Sequence, residues 1–184
     1  FSKLVDFPLR QDHPIRIHFI NIAKAAIPIK NLILMRNVDD KIALLKSSGS
    51  CIFCDLTQGN FKGNDLKGVD LRYANLSGAD LRYTNLSGAN LSGANLSGVD
   101  LRYTNLSGVN LDGVDLSNKD LTGTILSFAD LTGANLDGVD LSNKDLIGVN
   151  LSGVDLSGVD LRNIDLSGAN LSGVDLRNID LTGT

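Results

Sequence analysis

A leucine stands at every fifth position from Leu56 to Leu181, through 26 consecutive pentads without an insertion, Phe61 being the one substitute. A helix places apolar residues every three or four positions and a half-buried strand every second. A period of five fits neither, so the pentad itself must be the structural unit. The residue before each centre is Asp or Asn, except at Ile125. Two before the centre it is usually small or β-branched, as at Ala74, Val99, Thr104, Val109 and Ile164. After the centre come Ser, Thr or a charge, then usually Gly. A fixed spacing of this kind implies stacked units, each burying its leucine against neighbours above and below. The centre and the residue two before it point inward, and the other three form wall and corner. Gly and Asn suit corners that need positive φ, and the short Asp/Asn side chain can bond to turn backbone.

Longer duplications identify the pentad as the copied element. Residues 99–108 echo 79–88 at a spacing of 20, but 111–121 recur at 136–146, a spacing of 25, and 159–166 recur at 174–181, a spacing of 15. Copies shifted by 25 or 15 do not keep the 20-residue register, so they would land on other faces of any course that closes every four pentads. Copying without respect for face argues against a face-specific catalytic site.

The pentads Ala79-Asp80-Leu81-Arg82-Tyr83 and Ala89-Asn90-Leu91-Ser92-Gly93 match the motif A(D/N)LXX, and the chain resembles the pentapeptide-repeat family over about residues 54–183. The resemblance implies an all-β fold, a right-handed quadrilateral β-helix with four pentads per coil. On that geometry the repeats make about 6.5 coils, a rod roughly 31 Å long at ~4.8 Å per coil.

Residues 1–50 are expected to form an N-terminal cap, and 51–184 the β-helix. An open solenoid end exposes leucines and unpaired strand edges, which calls for such a cap. Residues 14–22 alternate Ile15, Ile17 and Phe19 with polar residues, a strand pattern, and 29–35 read as a second strand. A short helix is expected over about 38–48, with Asn37 as N-cap, Val38, Ile42 and Leu45 as its apolar stripe and Gly49 as its stop.

Charge is uneven. Residues 1–53 carry eight Lys/Arg against four Asp, and residues 54–184 nine against seventeen; no Glu occurs. This is a basic end on an acidic body. No apolar run approaches the length needed to span a bilayer.

Cys51 and Cys54 are the only cysteines. The pentad register makes Cys51 a centre and places Cys54 two before the next, so both point inward, either as buried thiols or as a disulfide pinning cap to rod. Similar Cys-x-x-Cys-Asp-Leu segments in exported members of the resembled family tilt the expected location toward extracytoplasmic. A thioredoxin-like site needs a cysteine at a helix N-terminus after a strand, whereas here a helix precedes it. Zinc held with His13 and His18 lacks ligand spacing. Those are the only His, and no P-loop, GxGxxG or HExxH occurs, so no enzyme activity and no cofactor is expected.

At spacings of 20, one face collects Asp80, Asp100, Asp120, Asp140, Asp160 and Asp180, with Lys62, Arg82, Arg102 and Arg162 outside them and Tyr83 and Tyr103 alongside. Its plain role is a solvated wall whose Arg offset an Asp ladder. Its functional role would be a docking surface, since Tyr and Arg are favoured anchor residues. Calcium could bridge the ladder, but the Arg compete for it. Lys119 and Lys144 fall at inward positions and are expected to snorkel at corners toward a nearby Asp.

The expected function is thus a non-enzymatic interaction protein, a rigid rod presenting regular faces to a protein partner. The alternative that the resemblance implies is an acidic DNA mimic acting on a type II topoisomerase. B-DNA carries one charge per ~1.7 Å, whereas about −8 over the rod gives one per ~4 Å. Direct nucleic-acid binding is not expected of an acidic rod. The repeat runs in register to Thr184, so a weak end-to-end homodimer through Leu176 and Leu181 is expected as well.

Overall fold

The computed structural model describes residues 38–184, Asn178 excepted. The strand patterns at 14–22 and 29–35, the two histidines, and Asn37 lie outside the described residues.

Each pentad forms one side of a closed four-sided course. The pentad centred on Leu81 illustrates the rule. Asp80 N–H donates to Gly59 O of the coil below at 2.9 Å, and Leu81 N–H donates to Asp100 O of the coil above at 3.1 Å. Thr84 N–H closes the corner on Leu81 O at 3.1 Å. The carboxylate secures the same turn, Asp80 Oδ1 accepting Arg82 N–H at 3.1 Å. Asp or Asn therefore precedes nearly every centre because its oxygen takes a turn donor that would otherwise lack a partner. The parallel bridges join residues twenty apart, Ser50 to Asp70 and Asp70 to Asn90 among them, which sets the coil at four pentads.

Four faces follow from this register. Face I carries Asn60, Asp80 and Asp100; face II Asp65, Asn85 and Asn105; face III Ser50, Asp70 and Asn90; face IV Asp55, Asn75 and Asn95. Face III is bridged without interruption from Ser50 to Asn170. Its inward column runs Val69, Ala89, Val109, Ala129, Val149, Ala169, a large–small alternation that interdigitates at constant spacing. Face II instead holds threonines inside. Thr84 Oγ1 donates to Phe61 O and Thr104 Oγ1 to Leu81 O, each at 2.8 Å, tying one coil to the next from within. Buried hydroxyls are tolerated there because each finds an acceptor.

The centres stack into one core, Leu56 to Leu161 all buried with Phe61 among them. Each fully buried leucine contributes roughly 1.5–3 kcal/mol of transfer free energy. Val38–Ser48 form helix α1, with Lys46 in the last turn. Gly49 ends it at φ 69°, its N–H bonding Leu45 O at 2.8 Å. Ile42 and Leu45 join the rod's core, and Lys41 Nζ donates to Asp55 O at 2.5 Å, so α1 sits against the first coil. In the structure the sulfurs of Cys51 and Cys54 are bonded to each other, with Cys51 buried as a centre.

Lys119 and Lys144 are half-buried where their column neighbours Val99, Val139 and Ile164 are buried. The ammonium of Lys119 lies close enough to Asp115 to help lower that carboxyl's pKa, behind the larger effect of its hydrogen bonds with Ser117. No helix among the described residues is long and apolar enough to cross a membrane.

Candidate functional site

The outer wall of face I begins with turn chemistry and ends in a column of rings. The second residue after each centre lies at a left-handed corner, where glycine is the easy choice. Tyr83 and Tyr103 hold φ of 60° and 59° there, a conformation that disfavours side chains. Their rings stack with centroids 5.0 Å apart and planes at 2°. Lys62 Nζ lies 5.9 Å from the Tyr83 centroid, on the column's lower end. At its upper end the Tyr103 ring occupies the space a Cβ on Gly123 would need. The rings stay outward, 55% and 49% exposed.

Each tyrosine follows an arginine that grips its own aspartate. Arg82 forks Asp80, Nε to Oδ1 at 2.9 Å and Nη2 to Oδ2 at 2.6 Å. It also reaches Asp100 Oδ2 at 3.5 Å, so one guanidinium spans two coils. Arg102 forks Asp100 with the same distances, 2.9 and 2.6 Å. The side-chain hydrogen bond from Arg82 is the main cause that brings the Asp80 pKa down to about 2. Arg162 does the same to Asp160, also to about 2. These pairs fix the arginines in one geometry and cancel charge locally. The surface offers tyrosine edges and hydroxyls on an ordered, nearly neutral ground.

The structure places every candidate of this face on the same side of the rod but does not make one unbroken ladder of them. Asn60, Asp80 and Asp100 are bridged in series, and Asp140 pairs with Asp160, whereas Asp120 bridges to neither neighbour. Lys62, Arg82, Tyr83, Arg102 and Tyr103 thus form one compact group, with Asp140, Asp160 and Arg162 further along. Among the described residues no group of three His, Cys, Asp or Glu is placed to hold a metal ion.

A second ring column escaped the sequence reading. Phe53 and Tyr73 stack at 5.0 Å and 10°, and beside them Arg72 forks Asp70. Tyr73 is offset from Tyr83 by half a coil and sits at the opposite corner. The signal was present, because Leu71-Arg72-Tyr73 repeats the dipeptide that marks face I. Another exposed apolar group lies on face II, where Ile125 stands in an Asp/Asn position and Phe128 is 66% exposed at φ 62°.

The family model described as pentapeptide repeats matches the chain in 8 copies, over residues 50–82, 79–118, 104–143 and 145–183. Among solved structures, HetL, a pentapeptide repeat protein involved in heterocyst differentiation regulation in the cyanobacterium Nostoc sp. strain PCC 7120, is 32% identical. The match covers 71% of this chain and 71% of that one, with a TM-score of 0.33. QnrB1, a plasmid-mediated fluoroquinolone resistance protein, is 26% identical over 72% of this chain and 71% of its own, with a TM-score of 0.35. Rfr23, a pentapeptide repeat protein of the cyanobacterium Cyanothece 51142, is 26% identical over 76% and 95%, with a TM-score of 0.35. No curated protein sequence matches.

Proposed function

Because the chain belongs to the pentapeptide-repeat family, we propose that it is a non-enzymatic interaction protein, a right-handed quadrilateral rod (51–184) entered through a cap (1–50). Its partner would be a protein that docks on face I. The observation that carries this reading is the Lys62–Tyr83–Tyr103 column flanked by Arg82 and Arg102. Two exposed, stacked tyrosines at strained corners present a large apolar surface whose arginines are already ordered, so docking would cost little further side-chain entropy. Affinity capture from host extract with the native chain and a Tyr83→Ser/Tyr103→Ser variant tests it. A partner recovered by the native chain and lost by the variant is expected. Equal recovery by both would move the contact off this face.

A second reading has one supporting observation. Residues 54–110 hold five Asp and five Lys/Arg, whereas residues 111–184 hold twelve Asp and four Lys/Arg. The whole excess of −8 therefore falls on about 18 Å of rod, one charge per ~2.2 Å. That approaches the ~1.7 Å of B-DNA far better than the average over the rod. The acidic half would then be the part that mimics DNA toward a type II topoisomerase. A gyrase supercoiling assay discriminates: no effect at micromolar protein leaves only the protein-docking reading.

A weak end-to-end contact between two copies belongs to the same proposal. Leu181 is 38% exposed and Leu176 is half-buried at that end. Sedimentation across a concentration series should show association that a Leu181→Lys variant loses.

A further inference from the structure

We propose that face I carries an oxidative cross-linking site, where one-electron oxidation of the stacked phenols Tyr83 and Tyr103 joins them as dityrosine and links two successive coils covalently. The chain has three tyrosines, Tyr73, Tyr83 and Tyr103, and no tryptophan. Tyr83 and Tyr103 stand one coil apart at the same corner. Their φ angles of 60° and 59° start both side chains in the same direction, and their planes are parallel to 2°. Equivalent carbons of the two rings therefore lie over one another at close to the 5.0 Å centroid separation. Both rings are exposed to a solvent-borne oxidant.

The oxidant class is hydrogen peroxide acting through a haem peroxidase, which takes one electron at a time from exposed phenols. Each tyrosine gives one electron to the peroxidase and its phenolic proton to water, leaving a neutral phenoxyl radical. The unpaired electron spreads to the ring carbons beside the oxygen. One such carbon of Tyr83 bonds to one of Tyr103, and the two unpaired electrons become the new bond. The hydrogen on each joined carbon then moves to its oxygen through water, which restores both aromatic rings. Two tyrosines and one hydrogen peroxide thus give one dityrosine and two waters, and the chain becomes two hydrogens lighter.

Contact between the rings makes the coupling intramolecular, so the effective concentration of the partner ring far exceeds that of a second chain. Tyr83 N–H donates to Arg102 O at 3.3 Å, so the backbones to be linked are already held at coil spacing. Bonding requires the rings to leave face-to-face stacking and bring one edge of each together. Solvent lies outside them, and Gly123 at the upper end of the column has no side chain to block the Tyr103 ring.

The other ring column supplies an internal comparison. Phe53 and Tyr73 share the corner conformation, with φ of 58° and 57°, and stack at the same 5.0 Å. Phe53 has no phenolic hydrogen to lose. Tyr73 therefore oxidises alone and couples only between chains. A single hydroxyl separates the column that cross-links from the one that does not. The cross-link does not depend on whether a partner docks on face I.

Treating the full chain at low concentration with a haem peroxidase and hydrogen peroxide tests the site. Mass spectrometry should find a monomer two hydrogens lighter, with dityrosine fluorescence and one linked peptide pair carrying Tyr83 and Tyr103. Its yield per chain should not change on ~10-fold dilution, as an intramolecular step requires. Tyr103→Phe keeps the ring and should cut the monomeric product at least ~10-fold. Phe53→Tyr adds the missing hydroxyl to the other column and should gain a second monomeric link, between positions 53 and 73. Cross-links found only in covalent dimers overturn the proposal, as does a monomeric product that survives Tyr103→Phe. Failure of Phe53→Tyr to gain its link overturns it too, because stacking at the corner would then not direct the coupling.

Discussion

Replacing Leu101 with Asp would put a carboxylate where the native side chain is 1% exposed and leucines stack above and below. No cation reaches that axis, so the cost should exceed ~3 kcal/mol and leave the protein unfolded or aggregated. Arg102→Ala, one residue away on the outside, should barely move the melting temperature. Thermal melts of the two variants check the inward and outward assignment directly. A subtler case is Thr104→Val, which keeps the shape but removes the hydroxyl bonded to Leu81 O. A loss of about 1 kcal/mol is expected from denaturant titration. The arginine forks have a consequence for pH. Asp80 and Asp160 titrate in the folded rod at about 2, below the ordinary 3.8, each chiefly through the hydrogen bond from its arginine. Folded pKa values below the unfolded ones mean the stabilisation is present above the ordinary carboxylate range and is lost as pH falls toward 2. Carboxyl NMR titration should place both midpoints well below those of an unfolded peptide, and Asp80→Asn should remove part of the acid sensitivity.

At the scale of elements, the junction of α1 with the first coil depends on few contacts: Ile42 and Leu45 in the core, Lys41 on Asp55, Lys46 on Asn64, and the Cys51–Cys54 link just beyond the helix. Thiol titration of the unfolded, unreduced protein should find no free cysteine. Reduction should weaken the helical circular dichroism before the β signal, since only the cap side of the rod is released. Two titratable thiols in a non-reducing preparation would instead favour a plain buried pair. The pentad was legible from residues alone because its five places carry different physical demands: a buried centre, an Asx turn, a corner open to positive φ. Face membership came from the resemblance, whose four pentads per coil put Asp80 beneath Asp100, as the bridge between them bears out. What could not be read was how neighbouring coils settle. Asp100 is bridged to Asp80 but not to Asp120, although the three share one face and one spacing. Such lacing is a property of stacked pentads rather than of one. The interior threonine ties were hidden for the same reason, because Thr84 and Thr104 bond a carbonyl of the coil below whereas Thr124, alike in sequence, bonds Leu121 O of its own coil.

Over the whole molecule the charge is graded along the axis. The coils up to residue 110 balance five acids with five bases, and the coils beyond carry twelve acids against four bases. In the balanced half, Arg82 and Arg102 lie within ion-pair distance of their partners, whereas Asp120 and Asp140 have Thr122 and Ser142 where an arginine would stand. Self-repulsion is therefore confined to one half. Repulsion between exposed carboxylates fades as the screening length shortens, from ~30 Å at 0.01 M salt to about 8 Å at physiological ionic strength. Exposed ion pairs such as those of Arg82 weaken modestly over the same range. Adding salt should thus stabilise the far half while leaving the near half unchanged or slightly weaker. Amide exchange at two ionic strengths would resolve this, with protection rising beyond residue 111 and flat or falling before it. A uniform response along the rod would mean that the coils act as one cooperative stack, with lacing strong enough to spread the strain of the acidic half through its neutral neighbour.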